Sequence, residues 1–432
     1  MDRNEPIIVV GAGAFGLSTV FHLSQAGYTN ISVFEQDSQV PPRQSAANDI
    51  NKIVRAEYED PFYTELTVKA IAAWKTPLFA PHFHQTGFLH CVSGAAPDKA
   101  LGTLKRFQAA AESHSRIKKH LVPIDSDNDI RQLFWQYENA PLTGWHGYLN
   151  RFDGYAHSGA ALQGIHRATA ARGVRYFLGA RVAEIVYDRD SKRAVGVRTA
   201  DGTIHAAKRI IVACGAAAAK LVPAAGRQLG VVAKSWSVAH VRLTDDETSA
   251  LRGIPVTYAR DLGFFFEPDP RTNLLKLCPM GGGYVNTDPR SGVSLAPSVE
   301  DSAFMPPDDE KKVRELLRQT LPALADRPLV QKSLCWFADT SDSDFIIDYV
   351  PGTDRSVVLL SGDSGHGFKM FPIFGEWVRD LFEARDGRQP VAQWRWKEKK
   401  PEKDSNWGGD VSWRLGETKE FSEIRPSRES KL

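Results

Sequence analysis

Residues 7–17, IIVVGAGAFGL, constrain this chain more than any other stretch. Four consecutive aliphatic residues, Ile7 to Val10, read as a strand buried on both faces, and Gly11, Gly13 and Gly16 then stand in G-x-G-x-x-G spacing ahead of a helix. Gly11 permits a tight turn, Gly13 lets backbone approach a pyrophosphate, and Gly16 lets the helix lie close on the strand with its N-terminal N–H groups toward the phosphates. A second strand over 31–34 ends at Glu35, placed to accept from a ribose 2′-hydroxyl and unfavourable to a 2′-phosphate. The implied ligand is FAD or NAD rather than NADP, and the glycines alone do not separate the two.

With 432 residues the chain can hold two cores. A net charge of +2 offers no broad attraction to nucleic acid or an anionic membrane, so the basic KEKKPEK stretch at 397–403 reads as a solvated tail. No apolar run approaches the 18 residues that span a bilayer, and the first 20 residues lack a basic start and a cleavage site, so neither a membrane nor a secreted protein is expected. Cys91, Cys214, Cys278 and Cys335 are widely spaced with no C-x-x-C pair, which argues against a disulfide framework and against a metal site. The final residues, Ser430, Lys431 and Leu432, match the address read by the peroxisomal import receptor, and the polar stretch from Lys397 onward reads as a loose tail that would expose it.

After Glu35 a proline-containing loop leads to the short apolar run around Lys52 and Arg55, then to a helix over 61–74. Strand 85–92, helix 101–117 and a second short helix follow; a helix after residue 151 and strands 175–178, 181–186 and 209–213 return the chain to the nucleotide-binding unit. From about residue 228, SVAHVRL, GFFFEP and LLKLCP alternate as antiparallel strands do, and a helix over 308–321 closes that block. The chain then re-enters the first unit through strand 356–360, a glycine- and serine-rich turn over 362–367 and a helix over 368–384, whose N-terminus would present a second electropositive backbone site. The expected fold class is α/β plus antiparallel β. A discontinuous Rossmann-like domain (1–85, 150–220 and 330–390) interleaves with a mixed-sheet substrate domain (86–149 and 221–329), and 397–432 form the tail.

GAGAFGLSTVFHL, NDINKIVRAEY, LCWFADTSDSDFIID and SGDSGHGFKM together resemble the flavin-dependent amine oxidases that include monomeric sarcosine oxidase, pipecolate and saccharopine oxidases and the fungal fructosyl amino acid oxidases, or amadoriases. The resemblance implies an FAD-binding domain with the cofactor attached through the sulfur of Cys335 to its 8α position; Phe337 and Ser341 depart from residues often seen in that stretch. It makes Lys276 the cation that activates oxygen, Lys369 a catalytic and carboxylate-binding lysine, Arg55 the carboxylate arginine and Lys52, the lysine of the amadoriase N-D-x-N-K-I motif, a further substrate-binding cation. Besides Gly11, Gly13, Gly16 and Glu35, the cofactor is expected against Ala14, Phe15, Gln36, Ser45, Asn48, Asp49 and Lys52. Further along the chain Val182, Gly215, Asp363, Gly365, Gly367, Phe368 and Lys369 complete the set, while Asp339 and His366 fall nearby with no role beyond hydrogen bonding.

The implied activity is oxidation of the secondary amine of an amino acid, of sarcosine, N-methyl amino acid, pipecolate or saccharopine type, to an imine, with dioxygen as acceptor and hydrogen peroxide as product. A small amine as partner, a peroxisomal location and a monomeric state go with it. Amadoriases carry an acidic pair where this chain has Pro279 and Met280, which weakens the fructosyl amino acid oxidase alternative even though Lys52 and the WRW at Trp394 to Trp396 favour it. A biosynthetic oxidase of an N-methyl or cyclic amino acid, an NAD-dependent dehydrogenase and a non-catalytic flavoprotein are the other readings. The dehydrogenase would be colourless.

Overall fold

The computed structural model describes residues 2–397 and 414–425. Ile7–Val10 lies inside a six-stranded sheet ordered Ile346–Tyr349, Val357–Ser361, Arg209–Val212, Ile7–Val10, Ile31–Glu35, Arg175–Leu178, parallel except for the first strand. The run is apolar at every position because both faces are covered. Ile7 and Val9 enter a core shared with helices Ala14–Gln25, Ser158–Ala170 and Phe374–Glu383. Ile8 and Val10 enter another, closed by the three-stranded antiparallel sheet Val182–Tyr187, Ala194–Thr199, Ile204–Ala206. Helices Ala14–Gln25 and Phe374–Glu383 cross so closely that a Cβ on Gly375 would sit 2.0 Å from the Ser18 carbonyl oxygen.

A ten-stranded mixed sheet forms the second half of the molecule. Within it, Val232–Arg242 pairs on one edge with Leu274–Pro279, His240 opposite Lys276, and on the other with Leu329–Asp339, Trp236 opposite Cys335. The lysine strand and the cysteine strand therefore flank one shared strand. Helix Pro307–Thr320 supports this sheet through Val313, Leu316 and Leu317, the i, i+3, i+4 stripe of an amphipathic helix. A second three-stranded sheet, Lys52–Val54, Gly154–Ala156 and Phe83–His84, presents Lys52 and the following Arg55.

Two expectations need correction. The segment 368–384 is not one helix: a 3₁₀ turn, Phe368–Met370, is followed by helix Phe374–Glu383. Pro372 lies between them; it has no N–H to donate, and its ring opposes continuous helix. The stretch from Lys397 onward is not loose throughout, because 414–425 packs. Arg414 is fully buried against Asp339 and Ser343, Lys419–Glu420 pairs with Tyr284–Val285, and Phe421 joins a core with Trp336. The polar bias that suggested a tail conceals buried anchors. Ser430, Lys431 and Leu432 lie outside the described residues. Among the described residues no helix is long and apolar enough to cross a membrane.

Candidate active site

A cavity of about 450 Å³ runs from the first glycine turn to the Gly365–Lys369 turn. At its nucleotide end Gly11 adopts φ +109°, and a Cβ there would lie 2.6 Å from the Ala213 carbonyl oxygen. A side chain is excluded twice, by conformation and by space. Gly16 does not line the cavity; its missing Cβ, which would fall 1.9 Å from the Gly11 oxygen, is what lets the helix close on the strand. Glu35 lines the cavity beside Gln36, accepts from the Ala12 N–H at 2.8 Å and the Asp37 N–H at 3.0 Å, and has its pKa raised by burial. Ala14, Phe15, Ser45, Val182 and Gly215 complete this part of the wall, whereas Gly367 stands behind it.

Three strands converge on the far half. Lys52, Lys276 and Cys335 all line the cavity. Asp49 does not, and neither does Asn48; both face an adjoining cavity of about 820 Å³. The expected cofactor contact from Asp49 is replaced by a supporting one, since its carboxylate meets Lys276 Nζ at 2.5 Å and Lys52 Nζ at 2.9 Å. Burial would push the Asp49 carboxyl up, but the two ammonium groups hold it well below the usual range, and Asp49 raises Lys52 against the same burial. Lys52 Nζ also donates to Cys335 Sγ at 3.8 Å, and that thiol donates to the Ala46 carbonyl at 3.6 Å. Lys276 donates further to the Asn51 carbonyl at 2.9 Å and lies 5.0 Å from the Phe266 ring centre.

At the other side of this half, Arg55 and Lys369 line the cavity together. Arg55 donates to the Glu57 carbonyl at 2.5 Å and stacks over Phe107 and Tyr58, centroid distances 4.5 and 4.9 Å. The buried Glu57 carboxylate accepts from Tyr148 and Asn150 at 3.0 Å each, and His90 and then Arg55 hold its pKa down to about 2 despite burial. Trp74 Nε1 donates to the Lys369 carbonyl at 2.7 Å, so the backbone that carries the lysine is fixed. Asp363 is on the wall, accepts from the Ala338 N–H at 3.1 Å, and is pushed up to about 7 by burial and by Asp339. Asp339 itself is turned away toward Arg414.

Trp236, Tyr258, Phe264, Phe266, Phe337 and Met280 make the remaining wall largely apolar. Trp236 stacks on Phe337 with centroids 4.9 Å apart, and its Nε1 donates to the Gly281 carbonyl at 3.0 Å. Among these, only Phe337 and Met280 were singled out by sequence, along with the lysines, Arg55 and Cys335. Glu57 and Tyr58, both buried, stand inside the NDINKIVRAEY stretch that the resemblance already marked. Trp236 and Tyr258 carried no such signal.

A family model described as FAD dependent oxidoreductase matches residues 6–381. The chain belongs to that family. It is 32% identical over 423 residues to the L-saccharopine oxidase of Schizosaccharomyces pombe, covering 93% of this chain and 95% of that one. It is 26% identical over 381 residues to the N-methyl-L-tryptophan oxidase of Salmonella agona, covering 87% and 94%. Among solved structures, fructosamine oxidase (Amadoriase II) of Aspergillus fumigatus superposes with a TM-score of 0.87 at 29% identity over 99% of this chain and 97% of that one.

The residues present suit FAD. The Gly11 turn leaves the space that a Cβ would fill, Glu35 is the only carboxylate beside Asp363 among the described residues on the wall, and the cavity continues from there past Cys335 to Lys276 and Lys369. The nucleotide would be held at the turn and Glu35, and the reacting ring at the far half.

Proposed function

We propose that this FAD-dependent oxidoreductase oxidises the secondary amine of an amino acid with dioxygen as acceptor. The observation that carries the reading is the pairing, on one cavity wall, of Arg55 and Lys369 with an aromatic surface and Lys276. A guanidinium gives a bidentate grip on a carboxylate, and the aromatic wall accepts the rest of the amino acid. Bound FAD supplies a two-electron acceptor that takes a hydride equivalent from the carbon beside nitrogen and passes the electrons to dioxygen. Arg55 orients the substrate, the aromatic wall excludes water, and the Lys276 ammonium, anchored by Asp49, provides positive charge where reduced oxygen develops negative charge.

Cys335 is the attachment point in this reading. Its sulfur lies on the cavity wall with the Lys52 ammonium beside it as a hydrogen-bond donor. The product would be hydrogen peroxide, for which a peroxisomal address at Ser430–Leu432 is chemically sensible. Substrates of the saccharopine or N-methyl amino acid type are favoured over glycated ones because Pro279 and Met280, both on the wall, offer no acid to a sugar. The likeness to Amadoriase II keeps a fructosyl amino acid as the second reading. Peroxide release on sarcosine, pipecolate, saccharopine, an N-methyl amino acid and fructosyl-glycine, with primary amino acids as controls, tests both. Peroxide from primary amino acids alone would refute them.

A further inference from the structure

Lys369 Nζ makes two hydrogen bonds, to the Tyr58 hydroxyl oxygen at 2.9 Å and the His366 carbonyl at 2.7 Å. The direction of each bond in this group is fixed by its neighbours. His366 Nε2 lies 2.8 Å from the Ser343 carbonyl, which can only accept, so Nε2 carries the proton and Nδ1 is an acceptor. Tyr58 then donates to Nδ1 at 2.9 Å in preference to the His366 carbonyl at 3.5 Å, and its oxygen accepts from Lys369. A neutral amine at Nζ spends both of its hydrogens on these two acceptors. Its lone pair remains, on a side chain that lines the cavity beside Arg55.

We propose that Lys369 is the base that takes the proton from the substrate's ammonium group, with Tyr58 and His366 as the relay behind it. The inference rests on the proposed oxidation of a secondary amine, which is protonated in free solution and must lose a proton before its nitrogen lone pair can assist loss of hydride. The substrate N–H bond breaks and an Nζ–H bond forms. A hydrogen on Nζ then moves to the Tyr58 oxygen as the Tyr58 proton moves to His366 Nδ1, and no electrons change hands. The docked zwitterion becomes an amine carrying a carboxylate, and the proton it gave up stays within a few ångströms of that carboxylate, so no net charge is added to the site.

The surroundings agree. Burial and then Arg55 push the Lys369 ammonium well below its ordinary pKa, against the opposing pull of Glu57, Asp153 and Asp363; burial and then Lys369 itself lower His366, which keeps Nδ1 an acceptor in the resting site and makes the imidazole a passing rather than a resting place for the proton. Asp153 is in turn raised well above the usual carboxylate range by burial and by Glu57, which leaves Glu57 as the main counter-charge to Arg55.

Two readouts on the flavin-loaded protein test this. Methylthioacetate, a carboxylate with sulfur in place of the amine, brings no proton of its own. Its binding, followed calorimetrically in buffers of different ionisation heat, should take up about one proton and tighten about tenfold per pH unit as pH falls toward neutrality. Lys369→Met should bind it more weakly and without proton uptake. The second readout is the anaerobic bleaching of the flavin by an N-methyl amino acid as a function of pH. Lys369→Arg, which keeps the cation but cannot accept a proton, should slow bleaching at pH 7 by on the order of 10² or more. Tyr58→Phe, which removes the acceptor of one Nζ hydrogen and the link to His366, should move the bleaching profile to higher pH. Proton-neutral binding by the wild type, or an unchanged bleaching profile in both variants, overturns the relay alone. A wild type that no N-substituted amino acid bleaches overturns the oxidase reading and the relay with it.

Discussion

Replacing Asp49 with asparagine removes a carboxylate that Lys52 and Lys276 share, at 2.9 and 2.5 Å, in a place where the Asp49 and Lys276 side chains are 8% and 2% exposed. Two charges about 2.7 Å apart attract by about 6 kcal/mol at an effective dielectric of about 20, before the cost of desolvating them. Asparagine preserves the shape and one acceptor, but leaves two buried ammonium groups uncompensated. The net loss expected on breaking one partner of a buried pair is about 3–5 kcal/mol. The carboxyl is held below its unfolded value, so this stability is fully present above pH about 4 and is lost as pH falls further. Urea unfolding of the flavin-loaded protein at pH 7 should show the first transition of Asp49→Asn about 1 M below that of wild type, and the gap should narrow at acid pH. A midpoint within about 0.2 M of wild type at pH 7 would refute the claim that Asp49 neutralises both lysines.

Three further outcomes follow from the site and its frame. Cys335→Ala should yield a yellow protein whose flavin is released by acid precipitation, where the wild-type colour stays in the pellet; equal retention would remove Cys335 from the linkage. Lys276→Met should leave anaerobic bleaching by substrate within a fewfold of wild type and slow reoxidation by oxygen by about 10²–10³, measured by stopped flow. Gly375→Ala places a methyl 2.0 Å from the Ser18 carbonyl and should lower stability by about 1–3 kcal/mol, read as a drop in thermal midpoint, with KM unchanged.

The central strand and its glycines are legible in sequence because each meets a local demand: a turn at positive φ, a close helix, an acid at the end of the next strand. The site lysines, Arg55 and Cys335 are legible through short motifs. What those motifs withhold is the side of the chain that each residue faces. Asp49 and Lys52 are three residues apart in one motif, yet one supports the cavity from behind while the other lines it. Tyr58 lies three residues after Arg55, and its partners His366 and Lys369 arrive from more than 300 positions away. Arg414 shows the same limit: it stands between Trp413 and Leu415 within a largely polar segment, and its burial depends on Asp339 and Ser343. Local propensity can break a helix at Pro372, but it carries no record of pairings that loop closure brings together late.

The most direct measurement is the absorption spectrum of the purified protein under nitrogen, before and after adding N-methyl and cyclic secondary-amine amino acids, followed by admission of air with a peroxide assay. The account predicts an oxidised-flavin spectrum that at least one secondary amine bleaches, with colour returning in air as stoichiometric peroxide appears. A flavin spectrum that no secondary amine bleaches, or bleaching by primary amino acids only, would contradict it.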